Sequence, residues 1–149
     1  MYKKHRVFLA LIIILCGAVS FAYKVDYAEI ASEAITVVSI VLAIYMTSFS
    51  GLVSSELAKT MQRKEDKILT GKSQLGVLRS YLNVAVVTGI LNIIVACISL
   101  IISSKMETTI EKGILYYIVS ASGCSTLGAN IFLMLLLYRF MVNRQLWNK

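Results

Sequence analysis

Proline is absent from this chain of 149 residues, histidine occurs once, and charged residues make up only 15 % of it. Because proline interrupts helices, its absence lets long helices run without a break. The scarcity of charge and an apolar fraction of 58 % exclude an ordinary soluble domain, which carries more charge and fewer apolar residues. The composition therefore indicates an integral membrane protein.

Catalytic and metal-binding groups are also scarce. The only histidine, His5, lies in a basic N-terminal stretch, where we expect it to be solvated. The apolar runs therefore hold no serine and histidine pair, and they hold no pair of aspartates. The three cysteines, Cys16, Cys97 and Cys124, fall in apolar runs without metal-ligand spacing. We expect no enzymatic activity, cofactor, metal or disulfide.

Four apolar runs define the expected architecture. A helix needs about 20 residues to cross a hydrocarbon core of about 30 Å, and the runs meet or approach that length. We predict an all-α integral membrane protein with a single membrane domain over residues 1–149 and four transmembrane helices. The runs cover residues 7–23, 30–53, 82–103 and 113–138.

The placement of basic residues predicts the orientation, because lysine and arginine accumulate on the cytoplasmic side. Twelve basic and three acidic residues fall before the first run, between the second and third, or after the fourth. The other two connections, counted together with Glu33 near the start of the second run, hold three basic and five acidic residues. We therefore expect both termini in the cytoplasm of a bacterium, with the helices in its inner membrane. Aromatic residues near the ends of the runs are expected to form interfacial belts: Tyr23, Tyr27, Tyr116 and Tyr117 outside, and Tyr81, Tyr138 and Trp147 inside.

One face of the second run carries a continuous row of small and polar residues, which we call the polar stripe. At about 100° per residue, the row falls within an arc of roughly 80° around the helix axis, and Glu33 lies at the edge of that arc. Hydroxyls and carboxylates are costly against lipid. The stripe therefore either packs against the third and fourth helices or lines a water path with an acidic outer mouth. Its members are Glu29, Ser32, Glu33, Thr36, Ser39, Ala43, Thr47 and Ser50.

The connection over residues 54–81, which we call the basic segment, is the second polar feature. We expect the second helix to continue into it through Leu57, Met61 and Ile68, to turn at residues 70–73 and to return as a helix, giving a cytoplasmic helical hairpin. Its cations either mark the cytoplasmic side and attract anionic lipids, or bind an anionic ligand such as a nucleotide or oligonucleotide. These cations are Lys59, Arg63, Lys64, Lys67, Lys72 and Arg79.

The third and fourth runs contain small residues at helical spacing, which lets membrane helices approach closely. We expect copies of the chain to associate through these small faces, because one chain has too few helices to enclose both a packed core and a water path. The residues expected to mediate helix packing are Gly89, Asn92, Ala96, Gly123 and Gly128.

In size, in its four spans and in the basic segment from Lys59 to Arg79, the chain resembles the small multi-span membrane effectors of bacterial anti-phage (abortive infection) systems, among them the Hailong type. The resemblance implies a homo-oligomeric channel that permeabilises the inner membrane and is gated by a cytosolic anionic ligand or a signalling protein. The alternative is a non-conducting membrane anchor whose basic segment docks an acidic partner or lipid.

Overall fold

The computed structural model describes residues 1–66, 71–106 and 113–145. Four of the helices in these ranges are long and apolar enough to cross a membrane, so the prediction of an all-helical chain with four membrane-length helices is confirmed. The fifth is short and lies in the basic segment. The helices are α1 (Lys3–Ala22), α2 (Ala28–Val53), α3 (Glu56–Arg63), α4 (Gln74–Met106) and α5 (Ile114–Gln145).

A tight turn over residues 23–27 joins α1 to α2. Lys24 adopts a positive φ of 50°, and the Val25 N–H donates to the Ser20 carbonyl oxygen over 3.0 Å. Asp26 Oδ1 accepts a hydrogen bond from the Ala28 N–H over 3.0 Å. These bonds satisfy backbone groups that are left without helical partners where one helix ends and the next begins.

The four long helices pack in the order α1, α5, α4, α2. α5 lies between α1 and α4, and α2 packs mainly against α4 while also touching α5. Although α1 and α2 are consecutive in the chain, their described residues do not pack against each other. Each of these two helices therefore leaves a broad face that the described residues do not cover.

Small residues bring α1 and α5 together. A Cβ added to Gly128 of α5 would lie 2.8 Å from Cys16 Sγ, and one added to Gly17 of α1 would lie 2.7 Å from Ser125 Oγ. Both distances are shorter than ordinary van der Waals contacts between such atoms. The two helices thus approach each other at sites where a glycine on one faces a small side chain on the other.

The small face of α4 is occupied in the same way. Gly89 accommodates Leu42 of α2, because an added Cβ would lie 2.8 Å from Leu42 Cδ2. Ala85 and Ala96 are fully buried. Within one chain these small faces hold neighbouring helices, and association of copies through them stays a prediction.

The basic segment differs from the predicted helical hairpin in its first half, whereas the predicted return as a helix agrees with α4, which begins at Gln74. One continuous second helix beyond residue 53 is wrong, because Ser54 and Ser55 break it: Ser55 is extended, with ψ 157°, and its hydroxyl donates to the Leu52 carbonyl oxygen over 2.6 Å. Serine hydroxyls that bond to nearby carbonyls compete with helical bonds in this way. After the short α3 the chain returns through an antiparallel bridge between Glu65 and Ser73. The predicted helix and turn positions within residues 67–70 lie outside the described residues.

Candidate functional site

The polar stripe lies on the outer face of α2. All eight of its members are exposed, whereas the residues that pack against neighbouring helices are buried, among them Ala31, Ala34, Val38 and Tyr45. At about 100° per residue the two faces lie on nearly opposite sides of the helix. Within one chain, therefore, the stripe does not pack against α4 and α5, and that alternative is not what the structure shows.

Some hydroxyls of the stripe bond to their own helix. Thr36 Oγ1 donates to the Ser32 carbonyl oxygen over 3.1 Å, and Thr47 Oγ1 donates to the Ala43 carbonyl oxygen over 2.5 Å. Such bonds reduce the cost of placing a hydroxyl in an apolar environment. Glu33 is different, because an ionised carboxylate has no hydrogen to donate and can only accept. In a membrane, a charge at Glu33 would require water, a cation or a partner.

The amino-terminal residues, the basic segment and the last part of α5 meet at one end of the molecule. The Met1 ammonium donates to Ser80 Oγ over 3.2 Å, and the Tyr2 hydroxyl donates to Asp66 Oδ2 over 2.8 Å. Arg139 of α5 is close enough to act electrostatically on His5. The segments predicted to lie in the cytoplasm thus share one end, and the side of the membrane that this end faces stays a prediction.

The described cations of the basic segment point outward, but their surroundings differ. Lys59 forms an ion pair with Glu56, with 2.7 Å between Nζ and Oε1. Lys72 precedes α4 instead of lying on a returning helix, and it acts electrostatically on the Met1 ammonium. Burial, Arg6 and Lys72 together lower the pKa of that amino group. Lys67 lies outside the described residues, and the other exposed cations of the segment are Arg63, Lys64 and Arg79.

A buried hydrogen-bond network fixes the opposite end of α2. Tyr27 is fully buried, and its N–H donates to Ser120 Oγ over 3.2 Å. Asn92 Nδ2 donates to the Tyr27 hydroxyl over 3.0 Å and to Thr126 Oγ1 over 2.9 Å. The same nitrogen lies 3.2 Å from the Gly123 carbonyl oxygen, so its two hydrogens are shared among three acceptors. This network joins α2, α4 and α5 near the acidic end of the polar stripe.

Three tyrosines predicted to form interfacial belts are instead buried: Tyr27, Tyr81 and Tyr116. The prediction of a solvated His5 is also wrong, because His5 is half-buried and its Nδ1 lies 2.5 Å from the Tyr81 hydroxyl oxygen. These contacts join residues far apart in sequence. The sequence did contain one signal for the burial of Tyr27. Residues 120–130 of α5 have almost only small side chains, and they leave room for a bulky residue.

All five residues predicted to mediate helix packing lie at helix contacts in the structure. Gly123 makes the closest one: a Cβ added there would lie 2.3 Å from Tyr27 Cδ1. Gly89, Asn92, Ala96 and Gly128 lie in the contacts of α4 with α2 and of α5 with α1. Gly128 packs against α1, and the other four hold α2 with the polar stripe facing outward.

Comparison of the chain with protein-family models, with curated proteins and with solved structures finds no match in any of the three.

Proposed function

We propose that the chain forms a homo-oligomeric membrane channel in which the polar stripes of several copies face a shared water path. The observation that carries this proposal is the outward direction of the stripe. A row of hydroxyls with a carboxylate is costly against lipid tails, and a water path between copies would remove that cost. Because the stripe is exposed and meets no other helix among the described parts of its own chain, such a path would lie between chains.

The charge of the stripe supports a preference for cations. Glu29 and Glu33 are exposed near the N-terminal end of α2. In a ring of copies these carboxylates would form an acidic mouth, and rings of acidic side chains attract cations and repel anions.

The connection between α2 and α3 supports regulation of the proposed channel by the basic segment. Two serines separate α3 from α2, and α3 packs against both α2 and α4 through its buried Ala58 and Met61. An anionic ligand or partner that displaced α3 would therefore move the inner end of α2. Permeabilisation of an inner membrane, as the resemblance to anti-phage effectors implies, is part of the same proposal.

A second function is a non-conducting anchor whose stripe is covered by a partner helix and whose basic segment docks an acidic partner or lipid. The bonds from Thr36 and Thr47 to their own helix favour it, because these two hydroxyls need no water. Small residues such as Ala43 would also admit a closely packed helix.

The membrane potential of cells that make the protein distinguishes these functions. We expect depolarisation, reported by a voltage-sensitive dye, and we expect Glu33→Gln to reduce it because the acidic mouth loses charge. Glu65→Gln is the matched control, since Glu65 is exposed at the other end of the molecule. If the membrane potential stays unchanged when the anionic ligand or partner of the basic segment is supplied, the channel function is contradicted and the anchor function is favoured.

A further inference from the structure

Four side chains join the start of α1 to the basic segment and to α4, and we call this cluster the latch: Tyr2, His5, Asp66 and Tyr81. The Tyr2 hydroxyl donates to Asp66 Oδ2 over 2.8 Å, and the Tyr2 N–H donates to the Tyr81 hydroxyl oxygen over 3.1 Å. The ring of His5 packs edge-on against the rings of Tyr2 and Tyr81, with centroids 5.4 Å and 5.7 Å away. Together with the bond from the Met1 ammonium to Ser80 Oγ, the cluster ties the amino-terminal residues to the basic segment and to α4.

The hydrogen bonds of the latch favour a neutral His5. The Tyr81 hydroxyl accepts from the Tyr2 N–H, and its single proton is then available for His5 Nδ1, which lies 2.5 Å away. A neutral imidazole can accept at Nδ1, whereas a protonated one carries hydrogens on both nitrogens. If His5 were protonated, the Tyr81 hydroxyl oxygen would have to accept from both the Tyr2 N–H and the His5 Nδ1–H. The hydroxyl would then have to donate its own proton to another acceptor.

The charges around the latch act in the same direction. Arg139 of α5 and the Met1 ammonium both act on His5, and Arg6 acts on the neighbouring Tyr81. Among the described residues, the carboxylate that acts on Tyr81 is Asp66 of the basic segment, and it accepts a hydrogen bond from the Tyr2 hydroxyl. A proton gained by His5 would add positive charge beside several cations, so it would be repelled more than it is attracted.

We propose that the latch is an acid-sensitive switch: protonation of His5 releases the start of α1 from the basic segment and α4. An imidazole with ordinary surroundings gains its proton near pH 6.5, within the range that cells reach. The proposal concerns the conformation of one chain and does not depend on ion conduction.

Distance measurements between two spin labels test this switch in the intact protein. In a background with Cys16, Cys97 and Cys124 replaced by serine, labels at Lys3→Cys and Lys64→Cys report on the start of α1 and on the basic segment, both being exposed positions. The protein is held in lipid nanodiscs, and labelled chains are diluted with unlabelled ones so that distances within one chain dominate. Pulsed electron paramagnetic resonance is recorded at about pH 8 and in steps down to about pH 4.5, well below the ordinary imidazole pKa of about 6.5, because the cations beside His5 oppose its protonation.

We expect a longer mean distance and a broader distribution at the lower pH values. In the matched variant His5→Asn, whose side-chain oxygen can accept from Tyr81 but does not titrate, we expect the same short distance at every pH. A distance that does not respond to pH in the parent chain would overturn the proposal. An equal response in His5→Asn would also overturn it, because another group would then be responsible.

Discussion

The contact between Tyr27 and Gly123 predicts that replacing Gly123 by alanine destabilises the protein, whereas the same replacement at Gly51 stabilises it. In Gly123→Ala the new Cβ would lie 2.3 Å from Tyr27 Cδ1 and 2.5 Å from Cε1. The ring has little freedom to retreat, because Tyr27 is fully buried and bonded to Asn92 and Ser120. Gly51 of α2 is the control, since an added Cβ there meets nothing within 4 Å.

The magnitudes follow from these surroundings. Overpacking a well-packed site costs about 1–3 kcal/mol, and a displaced tyrosine ring loses hydrogen bonds worth about 0.6 kcal/mol each in a membrane. Alanine gains up to about 1 kcal/mol over glycine in a helix. We therefore expect Gly123→Ala to lower the free energy of unfolding by about 1–3 kcal/mol and Gly51→Ala to raise it by up to about 1 kcal/mol.

Reversible unfolding in mixed micelles, titrated with sodium dodecyl sulfate and followed by circular dichroism, measures both variants against the parent. If Gly123→Ala is as stable as the parent or more stable, the close packing of Tyr27 on α5 is refuted. A loss of equal size in Gly51→Ala would show instead that any added methyl group disturbs this fold.

Two further predictions concern other residues. Asn130 of α5 is 4 % exposed, and neither polar atom of its amide has a hydrogen-bond partner among the described residues. Asn130→Leu should therefore stabilise the protein by about 1–3 kcal/mol in the same titration. A loss of stability would show that the amide is bonded in the assembled protein. Lys72→Gln should weaken the binding of a fluorescent oligonucleotide to the protein in nanodiscs several-fold, whereas Lys59→Gln should change it little because Glu56 already pairs with Lys59. If fluorescence anisotropy shows that the two substitutions weaken oligonucleotide binding equally, Lys72 does not contribute more to binding than Lys59.

The sequence was sufficient to predict the four long helices, because hydrophobic length alone identifies membrane-length segments. The return as a helix after the turn at residues 70–73 was also predicted, and α4 begins at Gln74, well before the apolar run from residue 82. A chain without proline lets a helix extend beyond its apolar run in this way. The break after Val53 depends on serine hydroxyls that bond to nearby carbonyls, and helical periodicity does not reveal that choice.

The polar stripe was visible from spacing, but its direction was not. Spacing shows which residues share a face, whereas the partner of that face depends on which helices pack together. Gly89 and Leu42 place α2 against α4 on the side opposite the stripe. The latch and the Tyr27 network were missed for a related reason, because they join residues that are distant in sequence and not marked by any local motif.

Accessibility of single cysteines along α2 tests the proposed water path most directly. In a background without native cysteines, Ser39→Cys and Thr47→Cys place thiols on the polar stripe, while Val37→Cys and Ile44→Cys place them on exposed apolar positions outside it; Val37 is 54 % and Ile44 55 % exposed. We predict that a membrane-impermeant, charged thiol reagent modifies the two stripe positions and spares the two apolar ones in cells that are depolarised by the protein. Protection of Ser39→Cys and Thr47→Cys in those cells would contradict the central claim that the stripe faces water.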